Sequence, residues 1–223
     1  MMSLRPMLTV FVVTVLALLW ALPVLSQPSG PEPAWMAALR EGGHVIVLRH
    51  GATNPTQTDA VPVNFSDPSK QRQLSDQGRL TAQSIGDSLR KLRIPVSAVQ
   101  TSLYFRAVET GRLLGFGEAT STIDLAEIGG ANASGMGMGQ PMSPDEISRR
   151  TAALRKLAAT PPKAGSNVIL VTHKPNLVEA FGKGWSDMGE GEASIFKPDG
   201  NGGYTLVARV RADDWSKFAE TAK

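Results

Sequence analysis

Two short segments of the chain are apolar without interruption. Val45-Ile46-Val47-Leu48 and Val168-Ile169-Leu170-Val171 have no polar residue at alternate positions, the pattern of strands covered on both faces of a sheet. Further strands are expected over residues 98–101 and over 119–128, the latter ending near Glu127. Two amphipathic strands near residues 193–197 and 204–210 flank the turn Pro198-Asp199-Gly200-Asn201-Gly202. Between these segments the apolar spacing becomes helical, over residues 34–40, 75–92, 104–114 and 143–159, after Pro175 and after Asp213. The second helix has Ser75 as N-cap, Asp76 at its positive end and a stripe of Leu80, Ile85, Leu89 and Leu92. Ser143-Pro144-Asp145-Glu146 supplies an N-cap, a proline at the first helical position and a glutamate for a capping box. Strands alternating with helices predict an α/β fold, a single three-layer α/β/α domain around a mostly parallel central sheet.

Residues 1–33 do not share this pattern. Arg5 precedes an apolar run over residues 7–22, Pro23 breaks it, and Val24-Leu25-Ser26 offers a cleavage point before Gln27. This is the layout of a secretory signal peptide. The run is short for a bilayer span, which favours cleavage over an uncleaved anchor. Residues 1–26 are therefore expected to be a signal peptide, 27–33 a flexible lead and 34–223 the folded domain, in a periplasmic or secreted protein.

Composition narrows the chemistry. Lys and Arg number 23 against 20 Asp and Glu, a net charge of +3 with no basic stripe, so nucleic acid is not an expected partner. No cysteine is present, which excludes disulfides, a thiolate nucleophile and cysteine-ligated zinc or iron–sulfur centres. Met136, Met138 and Met142, in the Gly-rich tract 129–142, have no neighbouring histidine or cysteine to complete a soft-metal site, and the tract reads as a lid or linker.

The candidate chemistry sits at strand ends. Arg49-His50-Gly51 follows the first apolar strand and His173 the second, Arg106 lies in the first turn of the helix after the third, and Glu127 ends the fourth. In a parallel sheet those carboxyl ends gather at one edge, where open α/β sheets hold ligands. Gly51 permits a sharp turn or a close approach. Thr53 and Asn54, in the long loop over residues 52–73, are either anion donors or turn formers, and His44 reads as structural.

Four stretches in this order resemble the histidine phosphatase superfamily, the fold group of phosphoglycerate mutases, acid phosphatases and phytases. They are Leu48-Arg49-His50-Gly51, Leu74-Ser75-Asp76-Gln77-Gly78-Arg79, Arg106-Ala107-Val108-Glu109-Thr110 and Val171-Thr172-His173-Lys174-Pro175-Asn176. The resemblance implies a phosphoglycerate mutase-like catalytic domain. In it His50 would be the nucleophile, forming a phosphohistidine, with Arg49, Arg106 and His173 on the phosphoryl oxygens. Glu127 falls where the smaller-branch enzymes carry their proton donor, and Glu192 is its rival. Lys174 stands where acid phosphatases of the other branch have an aspartate, which argues against a phytase-like mechanism.

Elementary chemistry agrees with these residue types. A neutral imidazole is a nucleophile, arginine forks suit phosphoryl oxygens, and a partly desolvated carboxyl can keep the proton a leaving oxygen needs. No cofactor or metal is required. The expectation is an exported phosphomonoesterase with a small phosphorylated substrate and no membrane span after leader removal. The alternatives are a phosphohistidine-protein or lipopolysaccharide-sugar phosphatase, or a non-catalytic phosphate- or anion-binding module.

Overall fold

The computed structural model describes residues 33–128 and 142–222. The expected signal peptide, the lead as far as residue 32 and all of the Gly/Met tract except Met142 lie outside these residues. The strands are β1 (Val45–Arg49), β2 (Val96–Ser102), β3 (Thr120–Thr122), β4 (Asn167–Thr172), β5 (Ala193–Pro198) and β6 (Tyr204–Val210). The helices are α1 (Ala34–Glu41), α2 (Asp76–Lys91), α3 (Phe105–Leu113), α4 (Pro144–Ala159), α5 (Lys174–Phe181) and α6 (Asp214–Thr221). One six-stranded sheet has the order β3-β2-β4-β1-β5-β6. From β3 to β1 the neighbours are parallel, β5 is antiparallel to β1, and β6 is antiparallel to β5.

The alternation of strand side chains builds two cores, one on each face. Ile46, Leu48, Ile169 and Val171 pack with Leu39 of α1, Ile85 and Leu89 of α2, Ala107 of α3 and Trp215 of α6. Val45, Val47 and Leu170 pack on the opposite face with Leu154 and Ala158 of α4 and Leu177 of α5. The three-layer α/β/α architecture expected from the sequence is present.

Three details differ from expectation. Leu80 is 59% exposed, because it lies five residues before Ile85 and so falls off the α2 stripe, which Ala82, Ile85 and Leu89 form instead. The strand expected to end near Glu127 stops at Thr122, whose hydroxyl accepts from the Asp124 amide at 3.3 Å and starts a 3₁₀ turn over Ile123–Leu125. Ser143 caps α4 by accepting from the Glu146 amide at 3.2 Å, but the Glu146 carboxylate turns outward to Arg149 and Arg150. Those two guanidiniums hold it at a pKa of about 2.

Candidate active site

Strands β1 and β4 are parallel neighbours, and their last register pair is Arg49 with Thr172. The next residue on each strand is a histidine, and the His50 amide still donates to the Thr172 carbonyl at 3.0 Å. Beyond this point the chain diverges. The segment after β1 leads to α2 on one face of the sheet, and the segment after β4 enters α5 on the other. Such a divergence opens a crevice at the strand ends, the usual ligand position in an open α/β sheet. Across it the His50 and His173 rings face each other edge to face with centroids 5.1 Å apart.

Gly51 makes its close approach to the protein itself. A Cβ there would stand 2.8 Å from the Gly78 carbonyl oxygen, and a Cβ on Gly78 would stand 2.0 Å from that of Ala52. The strand end and the first turn of α2 are thus packed backbone to backbone, which only glycine at both positions permits. His50 Nδ1 donates to the Gly51 carbonyl at 2.8 Å, leaving the Nε2 lone pair free to react. On His173, Nε2 lies 2.7 Å from the Ser102 hydroxyl at the end of β2, and that hydroxyl already accepts from the Tyr104 amide at 3.1 Å.

Arg106, in the first turn of α3, is wholly buried. Its Nη1 donates to both oxygens of Asp59 at 3.1 Å, its Nη2 to Glu127 Oε2 at 2.5 Å, and its plane lies 4.3 Å from the Tyr104 ring. Arg49 donates from Nη1 to the Met188 carbonyl at 2.6 Å and meets Glu190 at 3.4 Å. Arg49 Nε, Arg106 Nε and His173 Nδ1 are buried without a hydrogen-bond partner. An orphaned buried polar atom costs about 1–3 kcal/mol.

Neither a protein-family model nor a curated protein sequence matches the chain. Solved structures do. The protein histidine phosphatase SixA complexed with tungstate is similar over 77% of this chain and 98% of its own, with a TM-score of 0.52 at 15% identity. A histidine-to-alanine variant of phosphoserine phosphatase from Entamoeba histolytica, bound to phosphoserine, is similar over 76% and 97% (TM-score 0.51, 15% identity). Mycobacterial glucosyl-3-phosphoglycerate phosphatase is similar over 74% and 97% (TM-score 0.50, 19% identity). The chain has the histidine phosphatase fold.

In this histidine phosphatase fold the electrostatics of the crevice follow from burial and arginine. Desolvation, then Arg106, Arg49 and Arg72, hold the His50 pKa well below 6.5. Desolvation, Arg106 and His50 do the same to His173, so both imidazoles are neutral near pH 7. Burial raises the Glu127 carboxyl, against the pull of Arg106 and Arg72. Glu127 is placed by its flanking peptides. The Asn176 side chain accepts from the Ile128 amide at 3.2 Å and donates to the Ala126 carbonyl at 2.8 Å, while Thr172 donates to the Leu125 carbonyl at 2.9 Å.

The structure thus brings His50, His173, Arg49, Arg106 and Glu127 to one sheet edge. Glu192 stands at the same edge, its carbonyl accepting from the Arg49 amide at 3.0 Å. Its carboxylate, however, is engaged by Arg209 at 2.6 Å and by the Gly189 amide at 2.9 Å. Thr53 bridges to Leu74 and approaches Glu190, and Asn54 accepts from Thr56, so this pair shapes the loop. His44 is buried, with Nδ1 3.0 Å from the Gly42 carbonyl, a structural place. Asp59, Arg72, Ser102, Tyr104 and Asn176 carry no role in the sequence reading. Ser102 ends a strand like the two histidines, a findable signal, whereas Asp59 and Arg72 lie in a loop without periodicity. Among the described residues no acidic or histidine cluster is placed to hold a metal, and no helix is long and apolar enough to cross a membrane.

Proposed function

We propose that the chain is an exported phosphomonoesterase working by two in-line phosphoryl transfers through His50. The observation that carries this is the state of His50: Nδ1 is committed to the Gly51 carbonyl, the ring is kept neutral, and a second imidazole faces it 5.1 Å away. His50 Nε2 attacks phosphorus, and the ester P–O bond breaks. The departing oxygen takes a proton from Glu127, the carboxyl whose pKa is raised, rather than from Glu192, which Arg209 holds. Water then attacks the phosphohistidine and gives its proton to Glu127, the P–N bond breaks, and His50 is restored. Arg49, Arg106 and His173 meet the three equatorial oxygens. The three similar proteins described above are phosphatases, which supports phosphoester hydrolysis, and the apolar leader supports export.

The test uses the full-length chain. It should release phosphate from an aryl phosphate without added metal, His50→Ala should abolish release, and acid quenching should trap an acid-labile phosphoprotein. Phosphate binding without hydrolysis across a panel of phosphoesters would instead identify a binding module. Cell fractionation with sequencing of the mature N-terminus tests export.

A further inference from the structure

Arg49 is oriented by a single loop. The segment 182–192, between α5 and β5, gives its Met188 carbonyl to Arg49 Nη1 at 2.6 Å and its Glu190 carboxylate to Nη2 at 3.4 Å. The same loop holds the Arg49 backbone. The Arg49 amide donates to the Glu192 carbonyl at 3.0 Å, and the Gly191 amide donates to the Arg49 and His50 carbonyls at 3.1 Å. With both terminal nitrogens engaged in this way, Arg49 Nε is left buried and without a partner. The direction of the guanidinium is therefore only as fixed as the loop that grips it.

That loop has little of its own to stiffen it. Apart from one 3₁₀ turn over Lys183–Trp185 it contains no helix or strand, and it includes Gly182, Gly184, Gly189 and Gly191. What closes it is Arg209 of β6, a strand separated from β1 by β5. Arg209 Nη1 donates to the Gly184 carbonyl at 2.8 Å, Nη2 to Asp187 Oδ1 at 3.0 Å, and Nε to Glu192 Oε1 at 2.8 Å. Nη2 also lies 2.6 Å from that Glu192 oxygen, while Glu192 Oε2 accepts from the Gly189 amide at 2.9 Å. One guanidinium thus spans the beginning, middle and end of the loop. Glu192 joins the two ends of the relay, its carboxylate on Arg209 and its carbonyl on Arg49. This pair is no loose surface bridge, for the Glu192 side chain is only 10% exposed and the fork is fully engaged. We infer that Arg209 is a positioning residue: by clasping Glu192 it orders the 182–192 loop and so sets the direction of the Arg49 guanidinium. This rests on the reading of Arg49 as a phosphoryl ligand and deepens it, because phosphate affinity then depends on a residue whose side chain bonds only to the loop. It also gives Glu192, the rival carboxylate for proton donation, a different duty.

Two measurements on the full-length chain test the clasp separately from the phosphate reading. The first needs no ligand: nitrogen-15 relaxation of the arginine Nε–H signals, with that of Arg49 identified by its loss in Arg49→Lys. In the parent the Arg49 order parameter should be about 0.8 or above, and Arg209→Gln should lower it to about 0.6 or below. The second is calorimetric binding of inorganic phosphate. Arg209→Gln should weaken it about ten-fold, the worth of one charge-assisted hydrogen bond. Arg209→Lys, which keeps the charge without the fork, should recover part of the loss. In an Arg49→Ala chain, Arg209→Gln should change phosphate affinity by less than about two-fold, because its effect runs through Arg49. Glu192→Gln breaks the pair from the other side, should act like Arg209→Gln, and serves if that variant does not fold. An Arg49 signal unmoved by Arg209→Gln, an unchanged phosphate affinity, or the same loss in the absence of Arg49 overturns the inference. A parent that binds no phosphate refutes the phosphatase reading instead, and the Arg49 order parameter still decides the clasp.

Discussion

Replacing Asp59 by asparagine tests how the site is held together. Asp59 is 3% exposed and takes both Arg106 Nη1 bonds at 3.1 Å, so the substitution removes one of two carboxylates from a guanidinium with no solvent exposure. Breaking a buried pair outright costs about 3–5 kcal/mol, because the surviving charge is left uncompensated. Here Glu127 remains on Nη2, and the asparagine carbonyl can still accept one bond. The expected loss is therefore nearer 2–3 kcal/mol, roughly 5–10 °C in the melting temperature of a domain this size. A second effect has a definite sign. The Asp59 charge helps raise the Glu127 pKa, so its removal lets Glu127 lose its proton at lower pH. The alkaline limb of the kcat profile should move to lower pH, since the leaving oxygen needs a protonated Glu127. Thermal unfolding and a pH–rate profile on the same preparation decide the matter. A melting temperature within 2 °C of the parent, or an alkaline limb that stays or moves upward, refutes this account of Asp59.

Other substitutions and pH address the remaining supports. Ser102→Ala removes the hydrogen bond that orients the His173 ring, and phosphate affinity measured by calorimetry should fall about ten-fold. Asn176→Ala releases both peptides beside Glu127 and should slow esters of poor leaving groups more than aryl phosphates, read as a ratio of kcat values. Gly78→Ala drives a Cβ into the Ala52 carbonyl and should cost about 3 kcal/mol or more in denaturant unfolding, whereas Gly184→Ala, with nothing within 4 Å, should be nearly silent. His50 and His173 keep folded pKa values well below 6.5, so the unfolded chain takes up protons first as pH falls. Each should therefore remove about 1.4 kcal/mol of stability per pH unit below 6.5, until its own folded pKa is reached. Glu127 works in the opposite direction, its raised pKa favouring the fold at low pH and losing that contribution as pH rises through it. Unfolding midpoints at several pH values check the net slope.

What could be read from residue order alone follows physical lines. The two uninterrupted apolar runs are strands because both faces are covered, and their ends fix His50 and His173 directly. Helix starts at Ser75 and Ser143 are local events, encoded in four or five residues, and both caps form. Glu127 reaches the site by another route than the expected strand, because a hydroxyl–amide bond at Thr122 ends β3 and Asn176, far along the chain, sets the turn. The partners of Arg106 illustrate the harder case. Asp59 is 47 residues away in a loop without repeat or periodicity, and only the folded chain shows that this carboxylate is buried against a guanidinium. Glu192 shows the converse, a carboxylate at the right sheet edge whose engagement by Arg209 no local pattern announces.

The strand order has a consequence for biosynthesis. β4 lies between β1 and β2, so these two early strands, although successive in the chain, never touch each other in the sheet. A nascent polypeptide that has emerged only through β3 can pair β2 with β3, while β1 must wait for a partner still inside the ribosome. The first imidazole is then tethered to an unpaired ribbon until residues 167–172 insert and bring His173, the second, beside it. Joining of the two early strands and assembly of the two-histidine crevice are thus a single late event, and a chain stalled before β4 has neither.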